Sequence, residues 1–77
     1  MAADRATWVE RYAAALGVDQ PGQDEVDALL ALAGVAAHAS ERTAAPLSCW
    51  LAASAGLTPA DALVVAQELS TKLSAGG

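Results

Sequence analysis

The residues best suited to chemistry are concentrated in one stretch, HASERTAAPLSCWL, at positions 38–51. It holds the only histidine, His38, and the only cysteine, Cys49, with Arg42 and one of the two tryptophans around Pro46. A neutral imidazole can act as a general base or a metal ligand, and a guanidinium group binds carboxylates or phosphates. This stretch is therefore either a reaction centre or the corner between two helices.

His38 lacks the neighbours that catalysis or metal binding requires. A metal site needs three or four ligands at matched spacing, and Glu41 and Cys49 form no such pattern with it. Cys49 has no adjacent cation or base that would activate its thiol. The sequence therefore predicts no catalytic residue, no metal and no cofactor. One alternative stays open, in which the corner of His38 and Arg42 binds a small anionic ligand or performs catalysis.

Apolar residues recur at helical spacing along nearly the whole chain, and no stretch alternates as a half-buried strand does. The pattern predicts a single all-α domain over residues 1–77, folded as a compact antiparallel four-helix bundle. The predicted helices cover residues 4–16, 24–41, 45–55 and 59–73.

Start and stop signals support these helices. Gly17 is placed to end the first helix in the left-handed conformation, and Pro46 fits the first turn of the third. Thr58 is the expected cap of the fourth helix. In the second helix, Gly34 is expected to mark a close crossing, and His38 and Arg42 share a face if the helix continues that far.

Charge and hydropathy exclude several classes of partner. The formal net charge is −5, and the four basic residues are scattered, so neither nucleic acid nor an anionic membrane is expected. The longest uncharged apolar run, residues 28–37, is far shorter than the roughly 18 residues of a membrane span. The charged opening MAADRATW is unlike a signal peptide, and the lone Cys49 favours a reducing, cytoplasmic location.

Half of the 42 hydrophobic residues are alanine, so the core has few large side chains available. Trp8 and Trp50 are therefore expected inside it, whereas an exposed tryptophan would indicate docking. A domain of this size also buries limited area alone. We expect a homo-oligomer or a complex with another protein across the second or third helix, with Trp50 or Leu51 near its centre and Arg42 at its rim.

The stretch AHASERTAAPLSCWLAASAG, preceded by WVERYAAALGVD, resembles a small uncharacterised actinobacterial family. The resemblance rests mainly on His38, Arg42 and the Ala-Pro-Leu turn at Pro46. Proteins of that kind carry the label of molybdopterin-guanine dinucleotide biosynthesis, as stand-alone chains or as an extension of the guanylyltransferase. The resemblance implies an accessory module, because the glycine loop and α/β pattern of the guanylyltransferase are missing.

Size and acidity also resemble those of an acyl carrier protein, but the attachment serine is absent. The only similar tripeptide, Asp61-Ala62-Leu63, has alanine at that position. The sequence thus predicts a non-catalytic helical interaction module, associated through the resemblance with molybdenum cofactor assembly.

Overall fold

The computed structural model describes residues 3–76, which contain four α-helices and no strand. The helices are α1 (Arg5–Leu16), α2 (Gln23–Ala39), α3 (Ala44–Ser54) and α4 (Pro59–Gly76). The predicted all-α bundle is confirmed. The helix α4 continues three residues beyond its predicted end, because Ser74 and Ala75 include no residue that breaks a helix.

Short polar and glycine signals fix both ends of α1. The carboxylate of Asp4 accepts the backbone N–H of Thr7 at 2.8 Å, and this hydrogen bond lowers the pKa of Asp4. At the other end Gly17 has φ +74°, as predicted. The N–H groups of Gly17 and Val18 donate to the carbonyls of Ala14 and Ala13, which is the Schellman arrangement. The direction in which the chain leaves α1 is thereby fixed.

The later helices begin and end by the same local rules. The Glu25 carboxylate accepts the N–H of Gly22 at the start of α2, and Thr58 Oγ1 accepts the N–H of Asp61 at 3.2 Å at the start of α4. The cap predicted at Thr58 is confirmed. Gly56, with φ +74°, ends α3 in the left-handed conformation.

The end of α2 differs from its prediction. The helix stops at Ala39, and Ser40 leaves helical geometry with φ −136° and ψ −102°. Arg42 consequently lies in the turn before α3, so α2 does not continue far enough for His38 and Arg42 to share a helical face. The periodic alanines continued the helical pattern in the sequence, but the backbone turn at Ser40 ends it.

The helix α2 is the centre of the packing. It packs extensively against both α4 and α3, whereas α3 and α4 touch each other over a small area. Among residues 3–76, no Cα of α1 lies within 8 Å of a Cα in another helix. The packed unit is therefore a bundle of α2, α3 and α4, with α1 joined to its end.

Few side chains in this arrangement are buried. Among the hydrophobic side chains of the described residues, only Ala13, Leu32 and Ala62 fall in the buried class, and Leu32 is the large one, with 3 % exposure. The expectation that Trp8 and Trp50 lie in the core is wrong, since they are 61 % and 69 % exposed. Helical spacing placed each on an apolar stripe, but no other helix of the chain covers those stripes.

The molecule is also more open than a compact domain of its size. Its radius of gyration is 13.8 Å, whereas a compact chain of this length has about 11.5 Å. Its accessible surface is 5927 Å², about 1,600 Å² more than the roughly 4,300 Å² of a compact monomer of this mass. Among the described residues, thirteen large hydrophobic side chains are exposed.

The predicted close crossing at Gly34 is also wrong. A Cβ added at Gly34 would meet no atom within 4 Å. Glycine in a helix interior costs roughly 0.5–1 kcal/mol relative to alanine. We therefore expect Gly34→Ala to raise the free energy of unfolding by that amount in urea titrations. Alanine at Gly17, where φ is positive, should instead lower it, and a loss of stability in Gly34→Ala would mean that a close neighbour covers this position.

Candidate functional site

The splaying of α3 from α4 leaves an open apolar channel over α2, here called the α3–α4 groove. Its floor is formed by Leu32, Val35 and Ala36 of α2. Its walls come from the two other helices: Ser48, Leu51 and Ala52 of α3, with Ala55 directly after α3, and Ala62, Val65, Ala66, Leu69 and Leu73 of α4. Two adjoining cavities of about 290 and 160 Å³ follow the groove, and Leu69 lines both.

The groove exists because the helix faces that meet there mix small and large residues. Ala62 and Ala66 allow α4 to approach α2 closely, and Ala62 is buried. The larger neighbours Val65, Leu69 and Leu73 stand above this contact and remain more than half exposed. These three were expected to complete a buried stripe. They do lie on one face of α4. The helix α1, which would complete the bundle, does not pack against that face.

A second apolar surface lies on the outer face of α3 and consists of Leu47, Trp50 and Leu51. All three side chains are more than 60 % exposed. Trp50 follows the groove residue Ser48 by two positions, which is about 200° around a helix, so it projects away from the groove. Leu51 lies at the boundary of the two surfaces. An exposed tryptophan between two exposed leucines is typical of a protein-binding surface.

A third apolar surface lies on α1, here called the α1 stripe, and consists of Trp8, Tyr12 and Leu16. The rings of Trp8 and Tyr12 stack with centroids 5.7 Å apart and planes inclined by 14°. Each of the three side chains is more than half exposed. Spacing of four residues puts them on one side of the helix, where they form a continuous apolar strip.

The corner of His38 and Arg42 faces solvent. His38 lies in the last turn of α2, Arg42 in the α2–α3 turn, and both are exposed. The carbonyl of Arg42 accepts the N–H of Ala45 and so helps to start α3. His38 belongs to α2, whereas Cys49 is half-buried within α3. In the described part of the chain, no cluster of three or more His, Cys, Asp or Glu could hold a metal ion.

Pro46 is the third residue of α3, within its first turn as predicted. Thr43 provides no side-chain cap for this helix, so the fixed φ of proline is a main local constraint on its start. We expect Pro46→Gly to lower the free energy of unfolding by about 1 kcal/mol through chain entropy. The thermal midpoint at fixed protein concentration should fall by roughly 4–8 °C, and Pro46→Ala should lower it less. An unchanged midpoint in Pro46→Gly would contradict this role.

Within residues 3–76, none of the helices combines the length and apolar content that a membrane crossing requires.

A family model described as a domain of unknown function, DUF6457, matches residues 2–75. The chain belongs to the DUF6457 family. No curated protein and no solved structure matches this DUF6457 chain. The family match makes no link to molybdopterin-guanine dinucleotide biosynthesis or to actinobacteria, so the resemblance holds only as membership of a small all-helical family.

The groove and the α1 stripe are exposed apolar surfaces that the sequence did not reveal. Their residues were recognised as apolar stripes and were assigned to the interior of a four-helix bundle. The available signal was the alanine content, because 21 alanines cannot cover large side chains on four helices. Trp50 and Leu51 are both exposed, and their place at the centre of a partner interface stays a prediction.

Proposed function

We propose that this chain is a non-catalytic interaction module that binds a larger protein through the outer face of α3. The observation that supports it is the exposure of Trp50 between Leu47 and Leu51, all on a helix that α2 holds rigidly from behind. Tryptophan anchors dominate the energetics of many protein interfaces. A partner that fits would present an apolar pocket to Trp50 and a carboxylate to Arg42 at the rim.

The resemblance carried by His38, Arg42 and Pro46 supports a narrower form of this proposal. In that form the partner is a component of molybdenum cofactor assembly or a molybdoenzyme, in the cytoplasm. The Ala-Pro-Leu segment at Pro46 then fixes the first turn of α3, and Arg42 lies in the turn that precedes this helix. The alternative, a small-ligand or catalytic site at His38 and Arg42, has less support, because both side chains are solvent-exposed.

Affinity capture from the native lysate tests the proposal when three tagged chains are compared. The wild-type chain and Gln67→Lys should recover the same partner, because Gln67 is exposed on α4 away from Trp50. Trp50→Lys should lose it. Recovery of a cofactor-synthesis component by the first two chains alone would support the narrower form. Equal recovery by all three chains, or by none, would contradict the proposal.

A further inference from the structure

We infer that a second copy of this chain covers the α3–α4 groove with its α1 stripe, so that two chains exchange α1 in a symmetric dimer. The chain itself carries both halves of this contact. The groove lacks a covering helix, and the α1 stripe of Trp8, Tyr12 and Leu16 lacks a surface to lie on. Placing one on the other completes a four-helix arrangement in each half of the dimer.

The dimensions of the two surfaces agree. The groove runs along α4 from Ala62 to Leu73, which is about 16 Å at 1.5 Å per residue. The twelve residues of α1 span about 18 Å, and its stripe from Trp8 to Leu16 spans about 12 Å. The stripe therefore fits within the groove along its length.

The two parts of the chain carry net charges of opposite sign. Arg5 and Arg11 against Glu10 give α1 a formal charge of +1, and both arginines flank the α1 stripe. The remaining helices and their turns, residues 23–75, carry six carboxylates against Arg42 and Lys72, a formal charge of −4. The groove itself is lined by uncharged residues, so this difference acts as a long-range attraction between α1 of one chain and the body of the other, and not as contacts within the groove.

The surface area also favours a second copy. The excess of about 1,600 Å² over a compact monomer exceeds the roughly 800 Å² that each partner buries in an interface of standard size. In a symmetric exchange each chain buries both its own α1 stripe and its own groove, so every contact occurs twice. A single helix from an unrelated protein would cover the groove and leave the α1 stripe of this chain exposed.

The chain does not cover its own groove in this structure. Arg5, Ala6 and Val9 of α1 line a cavity of about 170 Å³ together with Pro21 and Val26, beside the beginning of α2. The groove lies over the other half of α2, from Leu32 onward. The Schellman bonds at Gly17 hold α1 in this direction.

Sedimentation of single variants and of their mixture tests this exchange in the full chain. Trp8→Lys damages the α1 stripe and Leu69→Lys damages the groove, so each variant alone should dissociate at least about 30-fold more readily than the wild-type dimer. Mixing the two should restore association in part, because the intact α1 of the Leu69→Lys chain meets the intact groove of the Trp8→Lys chain, while the second contact carries both substitutions. Ala14→Lys and Gln67→Lys, which alter exposed positions of the same helices outside both surfaces, should stay dimeric.

Three results would overturn the exchange: a wild-type chain of 7.7 kDa at every concentration, a dimer that Trp8→Lys leaves intact, or variants that fail to rescue each other while circular dichroism shows both to be folded. None of these depends on Trp50. Lysate capture that Trp50→Lys abolishes would still support the interaction module if the exchange failed. Conversely, mutual rescue of the variants would stand if the capture failed.

Discussion

Replacing Leu32 with alanine should remove about half of the free energy of unfolding of this domain. Leu32 is the large side chain that α2 buries beneath α3 and α4, with 3 % exposure. Truncating a buried leucine costs about 2–5 kcal/mol, and a chain of 77 residues has a total stability of roughly 4–11 kcal/mol. Urea unfolding followed by circular dichroism should show a midpoint reduced to about half that of the wild-type chain.

Leu30→Ala is the matched control for that experiment. Leu30 lies on the same helix, and its truncation to alanine removes the same atoms. It is 49 % exposed, since it projects away from the groove floor. Its loss should cost less than about 1 kcal/mol, as surface substitutions usually do. Equal effects of the two substitutions would contradict the central position of Leu32 in the packing.

Replacing Trp50 with lysine should weaken binding of the proposed partner by at least about 100-fold. An anchoring tryptophan contributes 2 kcal/mol or more at an interface, and a lysine in its place would also bury an ammonium group without a counter-charge. Arg42→Ala should weaken binding by less than about tenfold, because a charge at the rim is solvated and screened by salt. Titration calorimetry with the captured partner would measure both effects.

Two outcomes of those titrations would contradict the assignment. A larger loss in Arg42→Ala than in Trp50→Lys would move the centre of the interface to the turn before α3. No loss in Trp50→Lys, with the helical content unchanged, would mean that the outer face of α3 is not the binding surface.

The local features of this fold were predictable from sequence because each depends on neighbouring residues. Gly17 ends α1 through its positive φ, and Thr58 caps α4 through a hydrogen bond three residues along the chain. Both effects act within one helical turn. The end of α2 was missed because the turn at Ser40 interrupts a run of alanine and serine that has no strong stop signal.

The positions of Trp8 and Trp50 could not be predicted in the same way. Periodicity shows that a helix has an apolar face, but it does not show which neighbour covers that face. The prediction assumed that another helix of the same chain covers each apolar face, so both tryptophans were assigned to the core. The structure places them on surfaces that no other helix of the chain reaches, because α1 lies apart from α3 and α4. For the candidate site, residue types at Trp50 and Leu51 were informative, whereas the groove required the relative placement of three helices.

The central claim is that other protein surfaces cover the apolar faces of this chain in the cell. Hydroxyl-radical footprinting measures it most directly, by comparing oxidation of Trp8 and Trp50 in native cells with that of the dilute purified chain. We expect strong oxidation of both tryptophans in the dilute chain and clear protection of both in the cell, with each oxidation rate divided by that of the same residue in the unfolded chain. Equal oxidation of Trp8 and Trp50 in the two settings would contradict it.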